Sequence, residues 1–365
     1  MGTGVRGRGS GSWAVIVSAG ELILAGQARA SRQKARPSFR PTRRWLKPGL
    51  RAPVRNVSAP SMTRFADRFL KPEYWFQPRQ VWRRWARRGP GPEEAEMVTP
   101  WGLPMRVRPA EGVGRSLWRL GVYDLVTCEL CWRLLDPGET AVDVGANIGV
   151  VTGLLARRAG PAGEVWGFEP HPDVRAELVR HVGLWQRSGL PLAKIQTHGA
   201  ALSNVAGEAA LFEPRSFGGN HGTASLEAVS SGSDATNVAG GRSFTVPTQT
   251  FDAVFPPDRR VGVFKIDVEG HEPQVFAGAA GALAERRVRD IVFEEHHALP
   301  SPTSELLTAA GFTLFFLGRT FWGPRLTAPA DRSSQPSWLP PNYLATLDPE
   351  RALARCQARG WQVLA

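Results

Sequence analysis

From residue 140 onward, short apolar runs alternate with amphipathic helical patterns, and this alternation constrains the fold more than any other feature of the chain. TAVDVGA (140–146), EVWGFEP (164–170), KIQTHGAAL (194–202), VGVFKIDV (261–268), RDIVFEEH (289–296) and FTLFFLG (312–318) read as strands. EAALFEP (208–214) and RSFTVPTQT (242–250) add two further strand patterns. Helices are expected over 149–158, 172–187, 272–285 and 303–310. Apolar runs that do not alternate with polar residues are strands covered on both faces, and helical crossovers make their neighbours parallel. The expected fold is therefore α/β, a mostly parallel, doubly wound sheet with helices on both faces.

The net charge of +12 comes from one end of the chain. Residues 1–65 carry 13 Arg and Lys against the single acid Glu21, and the remaining 300 residues are charge-balanced. A basic pI is then no argument for nucleic-acid binding by the folded part. Residues 1–61 are rich in Arg, Gly, Ser and Pro and are expected to be a disordered basic extension. Acids and aromatics first occur together after Met62, which makes Met62 the favoured alternative start. The remaining divisions are a lead-in region over 62–120, the main domain over 121–350 and a tail over 351–365. WRRWARRG (82–89) in the lead-in is expected to pack its Trp side and solvate its Arg side.

No run approaches the roughly 20 apolar residues that a membrane-spanning helix needs. Cys128 and Cys131 form a CxxC pair without a second pair, so they are expected to be small buried helix residues and not half of a zinc site. Three cysteines in all are too few for a disulfide framework and agree with a reducing, cytoplasmic location.

The chemistry begins at DVGANIG, residues 143–149, where a buried strand ends in a glycine turn and a helix follows. Gly145 allows a ligand to approach the backbone where a Cβ would stand. Asp143 either orients the turn or meets an ammonium group. The spacing is GxNxG, so the glycine set that admits a dinucleotide pyrophosphate is incomplete. Glu169 ends the next strand, 20 residues after Gly149. A carboxylate at that edge can accept both ribose hydroxyl hydrogens of a nucleoside, whichever cofactor carries it.

A second constellation is KIDVEGHE, residues 265–272. Asp267, Glu269, His271 and Glu272 crowd four titratable groups into six residues, and such crowding shifts pKa values toward those a general base needs. Glu294 and Glu295, ending the following strand, are candidates to orient that base. No metal ligand is assigned, and the alternative is that these carboxylates hold a divalent cation that binds the substrate hydroxyls.

Taken in order, DVGANIG, FEPHP, ALSN (201–204), NHGTASL (220–226) and KIDVEGHE resemble the FkbM-family S-adenosylmethionine-dependent methyltransferases over about residues 120–300. The resemblance implies a Rossmann-like class I methyltransferase fold, a seven-stranded sheet with a reversed final hairpin. It also implies S-adenosylmethionine as cofactor and methyl transfer to a hydroxyl of a sugar, polyketide or other small acceptor. By position, the cofactor residues are Asp143, Gly145, Asn147, Gly149, Glu169, Leu202, Ser203 and Asp267. The catalytic candidates are His271, Asp267 and Glu269. His171 departs from the Asn often found after the Pro. Two other classes compete: a nicotinamide-dependent oxidoreductase, which predicts a complete GxGxxG, and an inactive methyltransferase-like binding protein, which predicts damaged cofactor positions. Specificity for the acceptor is expected in 70–125, 214–243 and 319–342, with Asn220, His221 and Ser225 as loop candidates.

Overall fold

The computed structural model describes residues 71–89, 91–213, 224–226, 241–297, 299–329 and 341–364. All of them belong to the unit Ala59–Ala365. The basic extension, the Met62 start, Asn220 and His221 lie outside the described residues.

Chain order starts with two helices, Pro72–Trp75 and Pro78–Ala86, and a hairpin of β1 (Ala95–Val98) and β2 (Pro104–Val107). The main sheet takes β3 (Thr140–Val144), β4 (Glu164–Phe168) and β5 (Lys194–His198). A small three-stranded sheet takes β6 (Ala201–Leu202), β7 (Gly207–Glu213) and β8 (Arg242–Gln249). The main sheet resumes with β9 (Val261–Ile266), β10 (Val288–Glu294), β11 (Thr313–Thr320), β12 (Gly323–Thr327) and β13 (Asn342–Thr346). Its order is β12-β11-β13-β10-β9-β3-β4-β5. β5, β4, β3, β9 and β10 pair in parallel, and β13 runs antiparallel to both β10 and β11. Seven of these strands follow the class I methyltransferase plan with its reversed final strand.

The sheet has eight strands where seven were expected. The chain turns at Phe321-Trp322 and returns as β12, which covers the edge of β11. Gly323 and Pro324 hid this strand in the sequence, and an edge position is where a sheet tolerates proline. Two further boundaries moved. The expected strand 194–202 divides at Gly199-Ala200, and β6 joins the small sheet. The expected helix 272–285 breaks into Glu272–Ala277 and Ala280–Ala284. Gly278 lies at the break, where a Cβ would overlap the Ser203 carbonyl oxygen. The new helix start is satisfied from afar: Asp252 accepts the Gly281 and Ala282 N–H groups at 2.6 and 2.8 Å.

The basic helix reverses its expected faces. Trp82 and Trp85 are 65% and 63% exposed. Arg87 instead lies over the Trp118 ring at 3.7 Å and donates to the Trp118 carbonyl, while Arg83 donates to the Val98 carbonyl. A flat guanidinium on an aliphatic stem can cover a ring and bond a carbonyl at once, which an indole cannot.

Strand β3 is central and buried beyond Thr140, and β9 is buried throughout. The helix Leu125–Leu134 packs near them with Cys128 and Cys131 fully buried, as the sequence suggested. It also anchors the C-terminal segment. The buried Glu129–Arg133 pair reaches out of this helix: Glu129 accepts the Gln362 and Val363 N–H groups, and Arg133 donates to the carbonyls of Arg355, Ala358 and Gly360. Trp361, Val363 and Leu364 are buried as a result. Among the described residues, no helix is long and apolar enough to cross a membrane.

Candidate active site

Strand β3 delivers Asp143 to the sheet edge, but Asp143 faces inward. It is fully buried, accepts the Thr152 hydroxyl at 2.6 Å and pairs with Lys265 Nζ at 3.2 Å. The same ammonium donates to the Gly145 and Val144 carbonyls at 2.8 and 3.3 Å and lies 3.6 Å from Asp267. Burial opposes its charge, but the carboxylates of Asp143 and Asp267 outweigh burial and hold its pKa above the usual lysine range. Lys265 therefore pins the glycine turn of β3 to the loop after β9.

That turn needs its residues for geometric reasons. Gly145 (φ 74°) and Asn147 (φ 50°) are both left-handed. A Cβ on Gly145 would also overlap the Asp267 carbonyl oxygen, so the contact between the two loops itself excludes a side chain there. Asn tolerates the left-handed region better than most residues because its side chain bonds locally. Here its Oδ1 accepts the Ile148 N–H at 2.7 Å. Gly149 caps the helix Val150–Ala159 and packs under Leu178 and Trp185, away from the cavity.

Glu169 follows β4 and is 7% exposed. Oε2 accepts the Asn147 N–H at 2.8 Å and Oε1 accepts the His171 N–H at 2.9 Å. Burial raises its carboxyl to about 7 despite these bonds. His171 is buried beside it, caps the helix Pro172–Arg187 and meets Glu213 at 3.2 Å. The departure at His171 is thus a structural one.

The loop after β9 carries Asp267, Glu269 and His271 to the same edge. Glu269 has a left-handed backbone (φ 54°) and is exposed to the cleft. Desolvation by the surrounding protein, then Asp267 and Glu294, push its carboxyl up to about 7. Ser225 donates to the Glu269 carbonyl at 3.0 Å, tying this loop to residues 224–226. His271 Nε2 lies 3.0 Å from Ser203 Oγ. Glu272 is buried, accepts the Val268 N–H at 3.1 Å and is raised by burial to about 6. Of the two strand-end acids, Glu294 faces the cleft, whereas Glu295 turns away to accept Ser301 and His297.

These elements enclose a cavity of about 560 Å³. Gly145, Asn147, Glu169, Leu202, Asp267, Glu269 and His271 line it. Asp143, Gly149 and Ser203 do not, and each instead supports a residue that does. The cavity lining also holds groups that sequence reasoning had located only as segments: Glu73 and Tyr74 before the sheet, Tyr123 and Asp124 at a helix start, and Arg319 and Asn342 from β11 and β13. Asn342 donates to Asp124 and to the Thr127 hydroxyl, both at 3.0 Å. Asp124 is left-handed (φ 44°), and burial raises its carboxyl above the usual range.

Residues 143–314 match the family model described as "Methyltransferase FkbM domain". Over this segment, just under half of its length, the chain is similar to FkbM methyltransferases. Within the matched segment lie both constellations, from Asp143 to Glu294. Hexuronic acid methyltransferase AglP of Haloferax volcanii is 28% identical over 202 residues, which are 53% of this chain and 73% of that protein. A solved methyltransferase FkbM from Methylobacillus flagellatus is 15% identical with a TM-score of 0.36. That match covers 65% of this chain and 56% of the other, so the chain spans just over half of that relative's length. An S-adenosylmethionine-dependent O-methyltransferase from Thermotoga maritima is 13% identical, with a TM-score of 0.32, over 62% of this chain and 65% of its own.

Proposed function

We propose that the chain binds S-adenosylmethionine and methylates an oxygen of a small hydroxylated acceptor, a sugar in the first instance. The observation that carries this reading is Glu169. Each of its oxygens takes one backbone N–H and keeps capacity for another donor. A buried carboxylate on a cavity wall with two such sites fits the adjacent hydroxyls of a ribose. Gly145 and Asn147 on the cavity lining suit the methionine end, and Ala201 and Leu202 suit the adenine. The incomplete glycine pattern disfavours the nicotinamide alternative, and every cofactor position that the inactive reading would have damaged is intact.

S-adenosylmethionine supplies an electrophilic methyl group on a sulfonium, which an acceptor oxygen displaces in line. The chain's part is to position that oxygen and remove its proton. We assign proton removal to Glu269, because its carboxyl at about 7 is half ionised near neutrality and it faces the cleft. Asp267, held by Lys265, and His271, held by Ser203, keep this loop in place. The hexuronic acid relative supports a sugar acceptor, and the acid-rich walls suit a ligand that donates through hydroxyls.

The test is calorimetric titration of the full chain with S-adenosylmethionine and with NAD. Binding of the first and not the second is expected. Heat with NAD alone would overturn the proposal.

A further inference from the structure

The cavity lining contains a buried ion pair made by residues 246 positions apart in the chain. Glu73, in the helix Pro72–Trp75, pairs with Arg319 of β11 at 3.0 Å. Both side chains line the cavity, with exposures of 10% for Glu73 and 13% for Arg319. Glu73 Oε1 takes the guanidinium. Oε2 is buried and has no hydrogen-bond partner among the described residues. A buried carboxylate oxygen without a donor is costly, and folded proteins seldom leave one unless a ligand or water completes it.

The chemistry of the pair restricts what that ligand group is. An ionised carboxylate only accepts, so the group must donate. A carboxylate or phosphate there would face Glu73 directly. An ammonium would sit beside the Arg319 guanidinium. A neutral hydroxyl satisfies Oε2 and meets neither repulsion. We infer that Glu73, positioned by Arg319, is an acceptor-binding residue that takes a sugar hydroxyl other than the one methylated. The segment ahead of the methyltransferase domain then completes the acceptor site. This inference rests on the proposed function, because the cavity must also hold the methyl donor.

Saturation-transfer NMR on the full chain with S-adenosylhomocysteine present tests it, with D-glucose, D-glucuronic acid and D-galacturonic acid as probes. At least one probe is expected to receive saturation from the wild type. Glu73→Gln should weaken that probe by about tenfold or more, while its calorimetric affinity for S-adenosylhomocysteine stays unchanged. Glu73→Gln preserves shape and one acceptor oxygen, and the unchanged cofactor affinity certifies the fold. Arg319→Met, which leaves Glu73 without its holder, should weaken the same probe. The inference is overturned if no probe binds the wild type, or if Glu73→Gln binds the sugar as the wild type does. Absence of any S-adenosylhomocysteine heat in the wild type would instead sink the proposed function itself.

Discussion

Two sets of residues lining the cavity are built differently. The set proposed to hold the donor comes from two short, local segments, DVGANIG with Glu169 and KIDVEGHE. They are cross-pinned by one lysine that touches Asp143, Val144, Gly145 and Asp267. The set proposed to face the acceptor gathers Glu73, Tyr123, Asp124, Arg319 and Asn342 from separate segments between residues 73 and 342. A site of the first kind is fixed by backbone geometry and changes little without failing. A site of the second kind rests on side chains from separate elements and can be altered one residue at a time. Substitutions in the two sets should therefore have separable effects.

The largest effect is expected at Gly145. Gly145→Ala adds a Cβ against the Asp267 carbonyl in a left-handed turn. Methyl-donor heat should disappear and the melting temperature should fall. Gly189→Ala is the control. Its φ is 71° but its Cβ would meet nothing within 4 Å, so only the conformational cost of about 1–2 kcal/mol applies. Equal losses in the two variants would show that the contact between the loops does not matter.

Next is Glu269→Gln. Loss of a general base typically costs about 10²- to 10⁴-fold in kcat. The wild-type rate should rise with pH through about 7 and then level, because the carboxyl at about 7 must be ionised to accept the proton. The variant should lose that rise and keep its donor affinity. A retained limb in the variant would move the role to His271 or Asp267.

Glu169→Gln should weaken donor binding by about 10- to 100-fold, since it replaces one of two acceptor oxygens with a donor. Stability should respond as well. The folded carboxyl titrates at about 7 against an ordinary 4.5, so between these values the folded state holds a proton that the unfolded state has lost. Stability contributed by this group then falls as pH rises from 4.5 to 7, by on the order of 3 kcal/mol. The variant lacks this titration. Its stability relative to wild type should rise across that window and stay level above it, as urea melts at several pH values would show.

How much the sequence revealed follows the same division. Glu169, Gly145, Asn147 and Asp267 were legible because strand, turn and spacing are local. The central strands were legible because burial on both faces leaves continuous apolar runs. Asp143 and Ser203 were assigned to the cofactor, yet both sit behind the cavity lining. Strand alternation gives a side, and it does not reveal that a neighbouring Lys265 or His271 already occupies the polar atom. The eighth strand was hidden by Gly323-Pro324. The exposed tryptophans were misjudged because hydrophobicity alone does not foresee Arg87 covering Trp118. The lining residues proposed to face the acceptor were located only as segments, since nothing in a linear pattern pairs Glu73 with a residue 246 positions away.

The smallest effect is expected at Asn342→Ala, which probes whether the acceptor set is as divisible as its construction implies. The substitution removes two bonds, to Asp124 and to Thr127. Asp124 still caps its helix through the Thr127 N–H at 3.2 Å, so the fold should lose only about 1 kcal/mol. Asp124 already carries a raised carboxyl from burial, and losing a donor should raise it further. Acceptor KM should then increase by a few-fold, with kcat and donor heat little changed. If donor affinity fell in step with acceptor KM, the two sets would be one cooperative unit, and the separation between the donor turn and the Glu73 set would fail.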